Sequence, residues 1–274
     1  MKKIYLFLMS TILLMTSALA ESITVVPGGK PGGSSFARAT MYKEVLTKMG
    51  HDVKFENISS TKEGAKYLEK TRGKETVIMM YPTNQPSQIG YDITENNFVL
   101  KEYFAPYFWC QSNEAVDKDV LKVGLDKNMN QKFSDKLFGA LGKEVIYLRY
   151  KNSGALYNAI TAGDIDAMFT NQGKSLKLVK NNQGSCIANT SSEVIHDITS
   201  VYTIVKDGTK FPVMEYPVIS NNTSEKLRSI LIEANKDELF VQWRASKGLP
   251  EIVGQDTRQE ELRLAMEGQE LWKQ

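Results

Sequence analysis

The chain has 274 residues, 42% of them apolar and 24% charged, with 19 glycines and 8 prolines. That composition excludes collagen-like, mucin-like and wholly disordered chains and predicts one large or two modest globular domains. Two of the 34 basic residues, Lys2 and Lys3, precede residue 21 and the remainder balance the 32 acidic ones, so neither nucleic acid nor an anionic membrane surface has an electrostatic footprint here.

Residues 1–20 read as a secretory signal: Lys2-Lys3, an apolar run from Ile4 to Met15, then Ser17-Ala18-Leu19-Ala20 as a small-residue cleavage site. A membrane anchor is the alternative, and the run is short of the roughly 18–20 residues that a spanning helix needs. Cleavage after Ala20 is expected. No cysteine follows that site, so a lipid anchor has no support, and the expected location is the periplasm.

From Ile23 onward short apolar strands alternate with amphipathic stretches, the pattern of a parallel α/β sheet. A strand over 23–26 meets the turn Pro27-Gly28-Gly29-Lys30-Pro31-Gly32-Gly33, and a helix over 34–49 ends at Gly50. A strand over 53–56 follows, then Ser60-Thr61-Lys62-Glu63, a capping box that opens a helix to about Arg72. A third strand covers 76–80, and the Pro-, Asn- and Gln-rich stretch 81–97 is long for a connection.

The pattern restarts at a strand over 120–125. A helix bearing Phe133, Leu137, Phe138 and Leu141 comes next, then a strand over 145–150, a helix over 153–162 closed by Gly163, and a strand over 165–169. Beyond the Pro212 to Pro217 segment, 223–240 and 257–272 read as two terminal helices whose apolar positions need the first lobe's sheet to cover. The predicted organisation is two α/β lobes, 21–104 with 220–274 and 105–219, and the two crossings between them make a hinge.

The glycine-rich turn lacks G-x-x-x-x-G-K-[ST] and G-x-S-x-G, which argues against a nucleotide P-loop and a serine nucleophile elbow. A plain tight turn is one reading. The other is an anion cradle, in which glycine lets a carboxylate approach the free N–H groups and positive dipole end of a helix. Gly32, Gly33, Ser34 and Ser35 form it. Its counterpart in the second lobe is the loop holding Asn128, Met129 and Asn130, again between a strand and a helix.

Ile23-Thr24-Val25-Val26-Pro27, Pro31-Gly32-Gly33-Ser34-Ser35, Ala37-Arg38, Glu56-Asn57, Gly90-Tyr91-Asp92 and the long stretch from Tyr150 to Phe169 occur in an order that resembles the substrate-binding proteins of tripartite tricarboxylate transporters, the Bug group. The chain resembles a divergent member, with Ile58-Ser59-Ser60-Thr61 where that group is glycine-rich. The resemblance implies a periplasmic-binding-protein type II-like fold with a ligand cleft between its lobes. It also implies a solute-binding protein that takes a small organic carboxylate and hands it to membrane transporter subunits, without catalysis or cofactor and as a monomer. Tyr81, Asn152, Ser153, Asp166 and Asn171 complete the candidate ligand-binding set.

Other classes compete. A secreted serine hydrolase would use Ser34 or Ser35 with His51 or His196, and a ligand sensor would share every feature of the binding protein. Asp164 and Asp166 could be read as a catalytic pair, although one of them is expected to cap the turn after Gly163. The two cysteines, Cys110 and Cys186, permit one disulfide or two buried thiols, and with two histidines they offer no zinc-type spacing.

Overall fold

A computed structural model describes residues 20–83, 90–126, 129–249 and 253–273. Most of the expected signal segment, and Asn128, lie outside these residues. Nine strands and eight helices are found among the described residues, and the chain divides into two compact units, 20–103 with 216–266 and 104–215 with 267–273. Among the described residues no helix is long and apolar enough to cross a membrane.

In the first unit β1 (Ser22–Val26), α1 (Ser34–Lys48), β2 (Asp52–Phe55), α2 (Thr61–Lys70) and β3 (Thr76–Met80) follow one another. β2 and β3 both pair parallel to β1. The strand alternation assigns two cores. Ile23, Val25, Ile78 and Met80 face α1 together with α6 (Glu225–Ala234) and α7 (Glu238–Ser246), whereas Val26, Val77 and Met79 face α2 and Ala265 of α8 (Arg258–Lys273). Both faces of β1 and β3 are covered, which is why they read as continuous apolar runs, whereas the edge strand β2 alternates.

The second unit holds β5 (Val120–Asp126), α3 (Lys132–Ala140), β6 (Glu144–Tyr150), α4 (Ser153–Ala162), β7 (Ala167–Asn171), α5 (Gln172–Lys180) and β8 (Gly184–Asn189). β5 pairs parallel to both β6 and β7. β4 (Phe98–Ser112) enters from the first unit and runs antiparallel to β7 on one side and β8 on the other. Cys110 and Cys186 stand opposite each other in that ladder and are joined by a disulfide. Phe108, Cys110 and Met168 pack under α4 and α5, and the other face is aromatic, with Trp109 stacked on Phe169 at 4.2 Å and Trp272 against Tyr107 at 5.1 Å.

Several elements differ from the sequence expectation. The segment around Pro212 to Pro217, to which no element was assigned, holds a strand: β9 (Val213–Ser220) pairs antiparallel with β3, and the Pro217 carbonyl accepts from Tyr81 N–H at 3.1 Å. The helix expected over 223–240 is two helices. The Asp237 side chain caps α7 by accepting from Leu239 N–H, and buried Asn235 turns back to Tyr42, Leu231 and Arg244. These tertiary bonds outweigh the continuous helical pattern.

Candidate functional site

Because β1, β2 and β3 are parallel, their carboxyl ends lie together, the place where open α/β sheets bind ligands. There the chain leaves β1 through Gly28, at φ +59°, where a Cβ would lie 2.8 Å from the Met80 carbonyl oxygen. Only glycine fits. Gly29 rests on Ser35, its would-be Cβ 3.1 Å from the serine Cβ. Gly33 is the N-cap of α1, extended at φ −86° and ψ 159°, with no side-chain cap bond and no acidic residue in the first turn. Among the described residues the first N–H groups of α1 therefore have no side-chain cap, and the first turn carries no carboxylate to offset the positive dipole end. Gly32, Gly33 and Ser34 are exposed and Ser35 is half-buried.

Under this turn lies a polar chain in an aromatic setting. Burial raises the pKa of the Tyr103 hydroxyl against the opposing pull of Arg38 and Ser34. Arg38 is ion-paired with Glu102, and its guanidinium sits 5.3 Å and 5.7 Å from the ring centroids of Tyr103 and Tyr216. Burial pushes the Tyr216 hydroxyl up to about 12. Tyr81, from the candidate set, is fully buried and donates its hydroxyl to the Tyr91 carbonyl at 2.6 Å, which places it in the core below the carboxyl ends.

In the second unit the carboxyl ends of β5, β6 and β7 bring together Met129 and Asn130, Asn152 and Ser153, and Asn171. Three of these side chains already serve their own backbone: Asn130 Oδ1 accepts from Lys132 N–H, Asn152 Oδ1 from Ala155 N–H and Asn171 Oδ1 from Lys174 N–H. Their amide NH₂ groups are what a ligand could use. Asp166 is elsewhere. It precedes β7, at the opposite end from Asn171, roughly 17 Å away at strand rise. Its carboxylate there accepts from Lys118 Nζ at 2.6 Å and Lys122 N–H at 2.8 Å.

Within the first unit, His51 does not reach the serines of the turn. His51 lies past the carboxyl end of α1 and Ser34 starts that helix, so roughly 25 Å separate them. His51 Nδ1 accepts from Glu21 N–H, and His196 bonds Gln172. Asp164 is exposed and Asp166 is committed to lysine. Among the described residues no cluster of His, Cys, Asp and Glu could hold a metal ion.

No protein-family model and no curated protein matches the chain. Solved structures do. A TctC solute-binding protein from Polaromonas superposes with a TM-score of 0.71 at 10% identity, covering 92% of this chain and 98% of that one. MatC from Rhodopseudomonas palustris with bound malate gives 0.60 at 14% identity over 93% and 98%, and an R. palustris protein with adipate gives 0.60 at 15% over 92% and 95%. The chain has the fold of the tripartite tricarboxylate solute-binding proteins.

Two side chains that carry no motif of their own also hold the chain at the carboxyl ends. Thr61 donates to the Gly28 carbonyl at 2.6 Å. Arg149, at the end of β6, donates to the Asp126 carbonyl at 3.3 Å, to the Met129 carbonyl and to Gln131 Oε1 at 3.3 Å. A lone arginine near the end of a largely apolar strand was the available signal for the second. For Thr61 there was none, because its partner is 33 residues away.

Proposed function

We propose that this protein is an extracytoplasmic solute-binding protein that captures a small organic carboxylate and delivers it to a membrane transporter of the tripartite tricarboxylate kind. The observation that carries the reading is the start of α1: Gly32, Gly33 and Ser34 are exposed, Gly33 offers no side-chain cap, and the first turn is free of acidic residues. Such a turn stabilises an anion through main-chain N–H groups and the helix dipole without a cationic side chain. Ser34 and Ser35 add hydroxyl donors, and Asn130, Asn152, Ser153 and Asn171 are the donors offered by the second unit. No catalytic group or cofactor is required.

Malate and adipate, held by two proteins of the same fold, are both dicarboxylic acids, and they set the starting point of a test. The exported protein is screened by thermal shift against malate, adipate, tricarboxylates and monocarboxylates. A ligand at one hundred times its Kd stabilises the native state by about 2.7 kcal/mol, a shift of several degrees for a chain of this size. A screen in which no organic acid raises the melting temperature, with calorimetry equally silent, overturns the proposal.

A further inference from the structure

The Gly28–Gly29 peptide joins two residues that lack a Cβ, as does Gly32–Gly33 later in the same turn, so steric barriers to rotation of that peptide plane are low. Its orientation is nevertheless fixed. Thr61 Oγ1, on the first residue of α2, donates to the Gly28 carbonyl at 2.6 Å across a half-buried contact. In a trans peptide the N–H points opposite to the C=O, so this one bond also sets the direction of the Gly29 N–H and of the chain that crosses Ser35.

α2 is itself held in place. Ser60 caps it by accepting from Glu63 N–H, and Gly64 lies so close to β3 that a Cβ there would be 2.5 Å from Met79 Sδ. The same Met79 side chain would meet a Cβ on Gly28 at 3.4 Å. The threonine hydroxyl is therefore presented from a rigid support to a turn that has little rigidity of its own.

We infer that Thr61 is a positioning residue for the carboxylate anchor: it orders the Gly28–Gly29 peptide, and through it the turn above α1, before any ligand arrives. This rests on the proposed function. Pre-ordering spares the ligand the entropy of organising the loop, so its loss appears as weaker binding without loss of the fold.

The experiment compares wild type, Thr61→Val, which keeps the shape and removes the donor, and Thr61→Ser, which restores it. Hydrogen exchange is followed in the unliganded proteins on peptides covering 27–35, and malate and adipate are titrated calorimetrically into each. In Thr61→Val, exchange over 27–35 is expected to speed up and affinity to fall, each about tenfold for one lost hydrogen bond, while Thr61→Ser stays within about threefold of wild type. Unchanged exchange in Thr61→Val, faster exchange with unchanged affinity, or a serine variant as impaired as the valine one overturns the inference. Faster exchange in Thr61→Val together with a wild type that binds neither acid supports the positioning and counts instead against the carboxylate reading.

Discussion

Arg38 and Glu102 form an ion pair almost wholly removed from water, with side chains 0% and 2% exposed. Breaking one partner strands a buried charge, which costs about 3–5 kcal/mol, whereas replacing both with apolar groups of similar size is often neutral or favourable. Arg38→Met is therefore expected to be severely destabilising in urea titrations, and Arg38→Met with Glu102→Leu to recover most of the loss. The recovery is incomplete because Arg38 also reaches the Tyr216 and Pro217 carbonyls at 3.4 Å. Strictly additive single and double variants would show that the two side chains do not depend on each other.

The glycines of the turn before α1 are expected to fail in different ways. Gly28→Ala combines a left-handed backbone with a 2.8 Å approach to a main-chain oxygen and is expected to cost about 2–4 kcal/mol of stability. Gly33 already has an extended backbone that valine adopts freely, with only the Lys30 carbonyl oxygen near, at 3.1 Å. Gly33→Val, whose Cβ presses on that oxygen, should cost less stability than Gly28→Ala and abolish binding of the screened acid by covering the α1 amides. A Gly33→Val protein that binds like wild type would move the ligand away from this turn.

Cys110 and Cys186 close a loop with a sequence separation of 76, for which the chain-entropy account gives about 4 kcal/mol. Reduction, or the double change Cys110→Ala with Cys186→Ala, is expected to lower the melting temperature by about 10 °C. Mass spectrometry of the unreduced protein should find no alkylatable thiol after unfolding, and two after reduction. Two reactive thiols without reductant would contradict this.

Burial raises the pKa of Asp166, and the bonds from Lys118 and the Lys122 N–H outweigh it, leaving the carboxyl below its ordinary value. A carboxylate with a depressed folded pKa contributes stability that is complete above the unfolded value near 3.9 and is lost as pH falls through the folded one. Asp166→Asn should therefore cost about 1–3 kcal/mol at neutral pH. The same deficit is expected at about pH 5 and a smaller one at about pH 3. A deficit as large at pH 3 as at neutrality would mean that shape, not charge, is what the site requires.

Elements bounded by their own signals were legible in the sequence. α4 runs from the Asn152 cap to Gly163, which takes the left-handed conformation at φ +79°, and Ser60 opens α2 as its capping box indicates. Of β4 only Tyr107-Phe108-Trp109-Cys110 reads as a strand, and β9 does not, because the former carries Pro106 and the latter Pro217 inside the strand, and a proline speaks against pairing unless the neighbouring strand is known. α5 starts directly after β7 with no turn residue between, its cap being Asn171 itself. In the candidate site the sequence pointed to Gly32 and Gly33, and the structure adds Gly28 as the sterically obligatory one. Its constraint is a carbonyl on β3, and that contact exists only once β1 and β3 have paired.

The chain route has a consequence for biogenesis. β4 and β9 each begin in one unit and end in the other, and α8 leaves the first unit after Met266 to finish in the second, where Trp272 meets Tyr107. Neither unit is a continuous stretch of chain. As the polypeptide emerges from amino to carboxyl end, the first unit lacks β9 and its covering helices, and the second lacks its final turn, until nearly the last residue is available. Domain-by-domain folding during synthesis therefore leaves the first unit waiting for β9 and its covering helices, whereas the second, continuous over 104–215, waits only for the end of α8.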